Sequence, residues 1–261
     1  MSAPSATGDG DAPIRISGLR TAFGKKVIHE KLDLEVRKGE ILGVVGGSGS
    51  GKSVLLNTIL GLKRPDGGTV EIFGRRIDDP DARSAVERRI GVMFQQGALF
   101  SFLTVQENVE TPLLEHARLP KDFVRDLARL KIALAGLPDN AGSLKPAELS
   151  GGMRKRAGVA RAIALDPDIL FLDEPTAGLD PIAAGEFDAL VTTLRQALGL
   201  TVFMITHDLD TLYAICDRVA VLAEKKIVTV ATVDELERSD HPWIKSYFLG
   251  PRGRAVQKKL R

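Results

Sequence analysis

A glycine-rich stretch near the amino terminus has the residue types that bind phosphate. Residues 46–53 fit the pattern G-x-x-x-x-G-K-[ST] and read Gly46-Gly47-Ser48-Gly49-Ser50-Gly51-Lys52-Ser53. Glycines let successive backbone N–H groups converge on one anion, and the start of the following helix adds partial positive charge. Lys52 can reach the β- and γ-phosphates, and Ser53 can ligate Mg²⁺. A simple surface turn would not need the Lys-Ser ending, so the stretch predicts a nucleoside triphosphate site.

Two carboxylates, Asp173 and Glu174, follow an apolar run at residues 169–172. The carboxyl ends of strands in a parallel sheet are where ligands bind. Beside a phosphate loop, Asp173 could hold Mg²⁺ directly or through water, and Glu174 could take a proton from an attacking water. Acidic pairs also occur in ordinary turns. The catalytic interpretation therefore depends on the phosphate loop.

A second helix start also has the features of an anion site. It reads Leu149-Ser150-Gly151-Gly152-Met153-Arg154-Lys155-Arg156. A serine and two glycines before a helix bind anions by the same physics as the first loop. Three cations in the first turns oppose the helix dipole unless an anion lies nearby. Phosphate is the natural candidate, and a solvated basic face is the alternative. Two such helix starts for one nucleotide predict a head-to-tail pair of chains that holds each nucleotide between two copies.

Composition limits the class of protein. The chain has 261 residues, 44% of them apolar, and a formal net charge of +2, which suits one globular unit with room for a subdomain. The single cysteine, Cys216, excludes an internal disulfide and is expected in helix packing. No apolar run approaches the roughly 20 residues that cross a bilayer, and residues 1–13 lack a secretory pattern. We therefore expect a chain that is neither secreted nor membrane-spanning, and the near-neutral charge argues against nucleic acid as a partner.

Local patterns predict strands and then helices in the first part of the chain. Apolar runs predict strands at residues 14–16, 32–36, 41–45, 69–73 and 90–94, with a helix at 54–62. From residue 98 to 147 the spacing becomes helical, and one helix has Phe123, Leu127, Leu130 and Leu134 along one face. Thr104 with Glu107 fits a capping box.

The second part predicts a parallel sheet. Strands at 169–172, 202–205 and 219–222 alternate with helices at 181–198 and 209–215, and this order is typical of βαβ units. Thr232 with Glu235 caps a further helix, and three aromatic side chains should fix the last one. These are Trp243, Tyr247 and Phe248.

Together these motifs resemble the ATP-binding subunit of an ABC transporter over about residues 14–248. The resemblance adds a glutamine loop at Gln95, a D-loop at Gly178-Leu179-Asp180 and a switch histidine at His207. It implies an α/β fold of the ABC-type P-loop NTPase class, with a mixed or parallel core sheet, an antiparallel β subdomain and a helical subdomain at about 98–165. The implied domain covers residues 14–250. ATP hydrolysis with ATP and Mg²⁺ as cofactors is the implied activity.

The resemblance also implies roles for single residues. Gln95 would contact Mg²⁺ or the attacking water and relay movement to a membrane partner, and His207 would reach the γ-phosphate. Phe23 would stack on adenine, with ordinary packing as the alternative, and Asp180 would link the two nucleotide sites. The implied catalytic set is Glu174, His207, Gln95 and Lys52, and the metal set is Ser53, Gln95 and Asp173. The implied nucleotide set is Phe23, Gly46, Gly47, Ser48, Gly49, Ser50, Gly51, Lys52, Ser53, Val54, Ser150, Gly151, Gly152 and Asp180.

Three further expectations concern single residues. His207 follows a predicted strand that should end at the same sheet edge as Asp173, which favours a site role independently. His29, His116 and His241 have no such context and are expected at the surface. Met153 stands where many members of the family have Gln, and Gly47 where Pro or another residue is frequent. Neither difference removes a phosphate contact.

A finer resemblance concerns the transported substrate. Residues 94–100, 149–156 and 222–228 look most like the Mla/Mce group, which moves phospholipids or related lipids between the membranes of diderm bacteria. The expected partners are a second copy of the chain, an integral-membrane permease and a lipid-binding Mce-domain protein. The expected location is cytoplasmic, peripheral on the inner face of the inner membrane. A groove around residues 95–103 would receive a permease helix, with Phe100, Phe102 and Leu103 either lining it or buried in the subdomain.

Several alternatives remain open at this point. Residues 1–13 are expected to be a disordered leader. Residues 251–261 contain five basic and no acidic residues, and this tail could be disordered, touch anionic lipid or contact the second copy. The chain could instead serve another ABC transporter, or be a soluble single-cassette ATPase in cluster assembly. Glu174 and His207 argue against a non-catalytic nucleotide-binding scaffold.

Overall fold

The computed structural model describes residues 12–95 and 97–250. The predicted tail and most of the predicted leader lie outside the described residues. The strands are β1 (Ile14–Phe23), β2 (Lys26–Val36), β3 (Ile41–Gly46), β4 (Gly67–Ile72), β5 (Arg75–Arg76), β6 (Ile90–Met93), β7 (Ile169–Asp173), β8 (Thr201–Ile205), β9 (Arg218–Ala223) and β10 (Lys226–Ala231). The helices are α1 (Lys52–Ile59), α2 (Pro80–Glu87), α3 (Val105–His116), α4 (Lys121–Leu134), α5 (Gly151–Ala162), α6 (Pro181–Leu198), α7 (Leu209–Ile215), α8 (Val233–Glu237) and α9 (Pro242–Phe248).

The core sheet is mixed and has six strands in the order β10-β9-β3-β8-β7-β6. The five strands from β9 to β6 run parallel, and β10 is an antiparallel edge strand. Every residue of β8 is buried, as in a sheet covered on both faces. The carboxyl ends of β3, β8, β7 and β6 therefore meet at one edge. The loops that follow them contain the predicted site residues.

A second, antiparallel sheet has the order β2-β1-β4-β5. Residues of both sheets share one apolar cluster with α1, to which the helix contributes Leu55, Leu56 and Ile59. The helix that follows the phosphate loop is thus held between the two sheets. The α/β fold with a mixed core sheet and an antiparallel β part is confirmed.

Helices α3, α4 and α5 form a separate apolar cluster. The capping box of Thr104 and Glu107 is confirmed at the start of α3, and the one of Thr232 and Glu235 at the start of α8. The predicted apolar face of α4 is not its buried face, because Phe123 and Leu130 are each 52% exposed. Other apolar side chains take the buried positions and pack in one cluster with α3 and α5. These buried apolar residues are Val124, Ala128 and Ile132.

The prediction that His29 lies at the surface is wrong. Its side chain is fully buried in β2, and its Nδ1 lies 2.8 Å from Thr21 Oγ1. Strict alternation with the buried Leu32 and Leu34 would place His29 on the outer face. The strand is irregular at Lys31, which has φ +49°, and His29 turns inward. The hydrogen bond makes its burial tolerable. A Cβ built at Gly51 would lie 2.6 Å from His29 Nε2, so the buried imidazole lies next to the phosphate loop.

The strand β10 was not predicted. It follows β9 through a two-residue turn in which Glu224 and Lys225 have φ of +50° and +66°. Such hairpin turns usually contain Asn or Gly, so the usual sequence signal is missing. The backbone N–H of Glu30 donates to the carbonyl of Lys225 at 2.9 Å and connects this turn to β2. In the part of the chain that the structure describes, no helix is long and apolar enough to span a membrane.

Candidate active site

The phosphate loop connects the end of β3 at Gly46 to the start of α1 at Lys52. Gly51 has φ +104°, and a Cβ at this position would lie 2.5 Å from Ile28 Cγ2 and 2.6 Å from His29 Nε2. A Cβ at Gly46 would lie 2.5 Å from the carbonyl oxygen of Leu222. Only glycine fits these two positions. The surrounding strands therefore fix the path of the loop.

Lys52 is folded back over this loop. Its Nζ donates to the carbonyl oxygens of Gly46 at 2.8 Å and Gly47 at 3.2 Å. Burial lowers the pKa of Lys52, and the negative charges of Glu174 and Asp173 counteract this effect. Ser50 Oγ is buried without a hydrogen-bond partner among the described residues, and the side chain of Ser53 is exposed. The loop thus has an ammonium group and the exposed Ser53 hydroxyl for an anion and its counterion, and a second, buried hydroxyl group at Ser50 without a partner among the described residues.

Asp173 is the last residue of β7 and pairs with Ile205 of β8. Burial and the neighbouring charge of Glu174 raise the pKa of Asp173, whereas Lys155 and Lys52 lower it. The half-buried carboxyl group lies among cations at the carboxyl edge of the sheet. Its oxygens are the type of ligand that Mg²⁺ prefers.

Glu174 and His207 are in direct contact. His207 Nδ1 lies 2.6 Å from Glu174 Oε2, although 33 residues separate them. Glu174 has φ +48°, an unusual conformation for a residue with a side chain. Hydrogen bonds hold it on both sides, because its N–H donates to Ile205 O at 2.8 Å and its carbonyl accepts from Lys155 Nζ at 3.0 Å. A strained backbone that is over-determined in this way is typical of functional sites.

Lys155 connects α5 to this site. Its buried Nζ donates to the main-chain carbonyls of Glu174 and Gln95. The side chain of Gln95 is exposed. Burial lowers the pKa of Lys155, and Asp173 and Glu174 counteract this. The sequence contained a signal for this position, because Lys155 lies four residues before the buried Val159 on the same helix face.

Each of the three cations of α5 has an acceptor within the chain, and the expectation that they face phosphate stays a prediction. Arg154 Nε donates to Pro146 O at 3.2 Å. The Arg156 guanidinium donates to Ala135 O at 3.3 Å and to Glu186 Oε2 at 3.2 Å. Together with Lys155, all three side chains bind acceptors within the chain. These acceptors compensate the unfavourable position of the cations near the helix start.

The second predicted anion site lies at the start of α5. Ser150 is the exposed N-cap residue, and its Oγ accepts from Met153 N at 3.2 Å. A Cβ at Gly151 would lie 3.7 Å from Leu179 Cδ2, whereas a Cβ at Gly152 would meet nothing within 4 Å. The start of α5 therefore lies next to the D-loop. There, Asp180 caps α6 by accepting from the N–H groups of Ile182 and Ala183.

Phe23 lies at the end of β1 with 59% of its surface exposed. The Lys63 ammonium is 5.0 Å from the ring centroid. An exposed ring suits base stacking better than it suits core packing. Adenine binding by Phe23 stays a prediction.

Tyr247 on α9 was not predicted as part of the site. Its hydroxyl donates to the carbonyl of His207 at 3.0 Å. Burial, and then the charges of Glu174 and Asp208, raise the pKa of the Tyr247 phenol, so it keeps its proton and remains a donor. Local sequence patterns have no signal for this contact, because α9 reaches the site only through tertiary packing.

The parallel sheet, the glycine loop at its carboxyl edge and the acidic strand end beside it define a P-loop nucleotide-binding protein. A family model described as "ABC transporter" matches residues 29–177. The intermembrane phospholipid transport system ATP-binding protein MlaF of Haemophilus influenzae is 37% identical over 94% of both chains. The probable ribonucleotide transport ATP-binding protein mkl of Mycobacterium leprae is 36% identical over 96% of this chain and 75% of its own length.

Two solved structures have the same fold at 30% identity or more. The dimeric bacterial ABC transporter cassette MJ0796 has a TM-score of 0.77 and 31% identity, covering 84% of this chain and 98% of its own. Its post-hydrolysis state bound to ADP and Pi has a TM-score of 0.76 and 30% identity, with the same coverage. The chain belongs to the ABC transporter family as an ATP-binding domain. It is an ATPase, and the resemblance that its motifs indicated is confirmed.

Proposed function

We propose that this ATPase energises a transporter that moves phospholipids between two membranes. The likeness to MlaF supports this proposal, because 37% identity extends over 94% of both chains. An ATPase subunit does not touch the transported molecule, so the cargo is inferred from the relative rather than from the site. The likeness to mkl favours a second candidate, a ribonucleotide transporter, at 36% identity over 75% of that relative. The match covers 94% of MlaF but only 75% of mkl, which makes phospholipid the first candidate.

We infer that the nucleotide binds at the carboxyl edge of the core sheet with its phosphates on the glycine loop. Lys52 would leave the carbonyls of Gly46 and Gly47 for the phosphate oxygens, which are stronger acceptors because they are charged. Ser53, Asp173 and Gln95 would hold Mg²⁺, which neutralises phosphate charge when bound. Hydroxyl, carboxylate and amide oxygens fit this hard cation.

Glu174 is the proposed base. Its carboxylate would orient a water molecule toward the γ-phosphate and accept its proton. The contact with His207 Nδ1 restricts one carboxylate oxygen, and the hydrogen bonds to the main chain of Glu174 fix its backbone. His207 itself would reach the γ-phosphate with the rest of its ring, since 67% of its side chain is exposed. Catalysis then depends mainly on positioning and charge neutralisation.

We also propose that two copies form a head-to-tail dimer around two nucleotides. Ser150 and Gly151 are exposed at the start of α5, where they could meet the phosphates of the second copy. Asp180, exposed beside them, would link the two sites. The dimeric state of MJ0796 supports this arrangement.

The proposed permease surface is the loop before α3. Phe102 is 71% exposed and Phe100 is 43% exposed, and their rings lie 5.9 Å apart. The buried Asn108 supports this loop, because it accepts from Phe100 N at 2.7 Å and donates to the carbonyls of Phe100, Leu103 and Thr104. An exposed apolar pair on a fixed loop favours a groove for a partner helix. Through this partner the ATPase would lie on the inner face of the inner membrane, together with an Mce-domain protein.

Purification from detergent-solubilised membranes tests this function. The Glu174→Gln variant is used to hold the ATP-bound dimer, and co-purifying proteins and lipids are identified by mass spectrometry. We expect a permease, an Mce-domain protein and phospholipid. Recovery of another permease would overturn the phospholipid cargo and keep the transporter ATPase. Recovery of soluble partners alone would indicate an ATPase outside transport, such as one in cluster assembly.

A further inference from the structure

The last helix, α9, contacts both of the loops that surround the proposed γ-phosphate position. Its Tyr247 hydroxyl donates to the carbonyl of His207 at 3.0 Å. One turn earlier, Trp243 lies beside the phosphate loop, since a Cβ built at Gly47 would be 3.6 Å from the indole Nε1, an ordinary van der Waals distance. One short helix therefore connects the loop after β3 with the loop after β8.

The two aromatic side chains are held firmly. The rings of Trp243 and Tyr247 are stacked with centroids 4.9 Å apart and an interplanar angle of 13°. Tyr247 also meets the fully buried Phe248 edge to face at 5.1 Å. Phe248 and Ile244 belong to one apolar cluster with Val45 of β3 and with α7. The helix is thus anchored to the elements that position both loops.

The exposure of His207 makes the bond from Tyr247 important. With 67% of its side chain exposed, the imidazole has little packing to fix it. Its orientation toward Glu174 Oε2 at 2.6 Å therefore depends strongly on the conformation of its own main chain. The Tyr247 hydroxyl restrains this main chain at the carbonyl. At the phosphate loop the indole of Trp243 is the side chain closest to the space in front of Gly47, at van der Waals distance from a Cβ built there.

We propose that Tyr247 is a positioning residue for His207 and that Trp243 confines the phosphate loop at Gly47, so that α9 fixes the two loops relative to each other. This inference rests on the proposed roles of His207 and the phosphate loop. Tyr247 acts on the chemical step through His207 and touches no part of the nucleotide. Its loss should therefore change turnover more than ATP affinity.

The test compares Tyr247→Phe with His207→Ala and with the double variant. Tyr213→Phe is the matched control, because this second tyrosine contacts Phe248 at 6.4 Å and its hydroxyl donates to Glu237. Steady-state phosphate release gives kcat and KM for MgATP, and thermal unfolding checks stability. We expect Tyr247→Phe to lower kcat about two- to tenfold with KM nearly unchanged, the range of one lost hydrogen bond. Tyr213→Phe should match the wild type, and Tyr247→Phe should have no further effect in the His207→Ala background.

Several outcomes distinguish the inference from the proposed function. Wild-type turnover in His207→Ala would overturn the proposed role of that residue. Loss of turnover in His207→Ala with wild-type kcat in Tyr247→Phe would overturn the inference alone. Effects that multiply in the double variant would also overturn it, because Tyr247 would then act independently of His207.

Trp243 is the only tryptophan of the chain and gives a second measurement. Its emission should change when MgATP is titrated into Glu174→Gln, with a midpoint equal to the Kd from equilibrium dialysis. The Tyr247→Phe substitution should leave this midpoint within about twofold. An unchanged emission spectrum at saturating MgATP would overturn the contact of Trp243 with the phosphate loop.

Discussion

Lys155 donates from α5 to the carbonyl oxygen of Glu174 at 3.0 Å. The same ammonium group also donates to the carbonyl of Gln95. The helix that begins after Ser150 is thereby connected to two proposed catalytic residues of its own chain. If Ser150 binds the nucleotide of a second copy, Lys155 links each site to the other.

Replacing Lys155 with Met should lower turnover and largely preserve ATP binding. The variant keeps most of the side-chain volume but removes both hydrogen bonds to the main chain. Hydrogen bonds from a charged group contribute about 1.5–3 kcal/mol, so kcat should fall roughly ten- to a hundredfold. Phosphate release and nucleotide binding measure the two effects separately.

Lys131→Met is the control for Lys155→Met. Lys131 is also buried in the helical part, but it pairs with the Asp166 carboxylate away from the site. The kcat of Lys131→Met, calculated per folded molecule, should equal that of the wild type. An equal loss of kcat in both variants would contradict a specific role for Lys155.

Glu174→Gln should bind MgATP and hydrolyse it at least roughly a hundredfold more slowly, because the amide cannot accept the proton of the attacking water. Gel filtration with MgATP should show a dimer for this variant. Turnover close to that of the wild type would mean that another group is the base.

Gly51→Ala should destabilise the protein and weaken ATP binding. The position has φ +104°, and a Cβ would meet His29 Nε2 at 2.6 Å. Strained backbone positions cost about 1–3 kcal/mol, which urea unfolding would detect. Gly185→Ala is the control, because a Cβ in this part of α6 meets nothing within 4 Å. The free energy of unfolding of Gly185→Ala should rise by about 0.5–1 kcal/mol, because alanine is favoured over glycine inside a helix. Equal stability of the two variants would be inconsistent with a tightly fixed loop.

Phe102→Asp should stay folded and lose its membrane partner. The side chain is 71% exposed, so a carboxylate at this position can remain hydrated. Thermal unfolding should match the wild type, while permease recovery in the membrane purification should drop to background. Phe123→Asp is the control, because it changes an exposed side chain on α4. This variant should recover the permease as the wild type does. Insoluble Phe102→Asp protein would instead indicate that the loop belongs to the core.

Acidification should destabilise the fold through His29. Burial lowers the pKa of His29 to about 4 from the ordinary value of 6.5. Between these values the unfolded chain takes up a proton that the folded chain does not, so the free energy of unfolding falls as the pH falls. In urea unfolding, the free energy of unfolding of His29→Gln should fall less steeply between pH 6.5 and about pH 4 than that of the wild type. His116→Gln, an exposed change, should follow the wild-type profile, and parallel profiles for all three proteins would refute the assignment.

Features that depend on short-range spacing could be predicted from the sequence. The order of strands and helices in the second half and the capping box at Thr104 are examples, because each depends on neighbouring residues. The turn at Glu224 and Lys225 could not be predicted, because neither residue is typical of positive φ. The buried face of α4 was missed because two apolar stripes compete on that helix, and only contact with α3 and α5 selects one.

In the candidate site, too, residues with a local sequence signature could be predicted, and residues that depend on tertiary contacts could not. The loop residues and the acidic pair have signatures of residue type and spacing, so their chemistry could be inferred directly. The bonds of Lys155, His29 and Tyr247 join elements that are distant in sequence. Tertiary packing determines which residues these side chains bind, so local sequence patterns could not predict the partners.

The strand order of the core sheet also has a consequence for synthesis on the ribosome. The neighbours of β3 are β8 and β9, which begin at Thr201 and Arg218. The strand β3 therefore leaves the ribosome early. It cannot pair in this sheet until most of the chain has been synthesised. The helices α3 to α5 have nearer partners and can collapse sooner. If nucleotide binds the loop after β3, we expect it to assist only the last stage of cotranslational folding, when the distal strands close the sheet around β3.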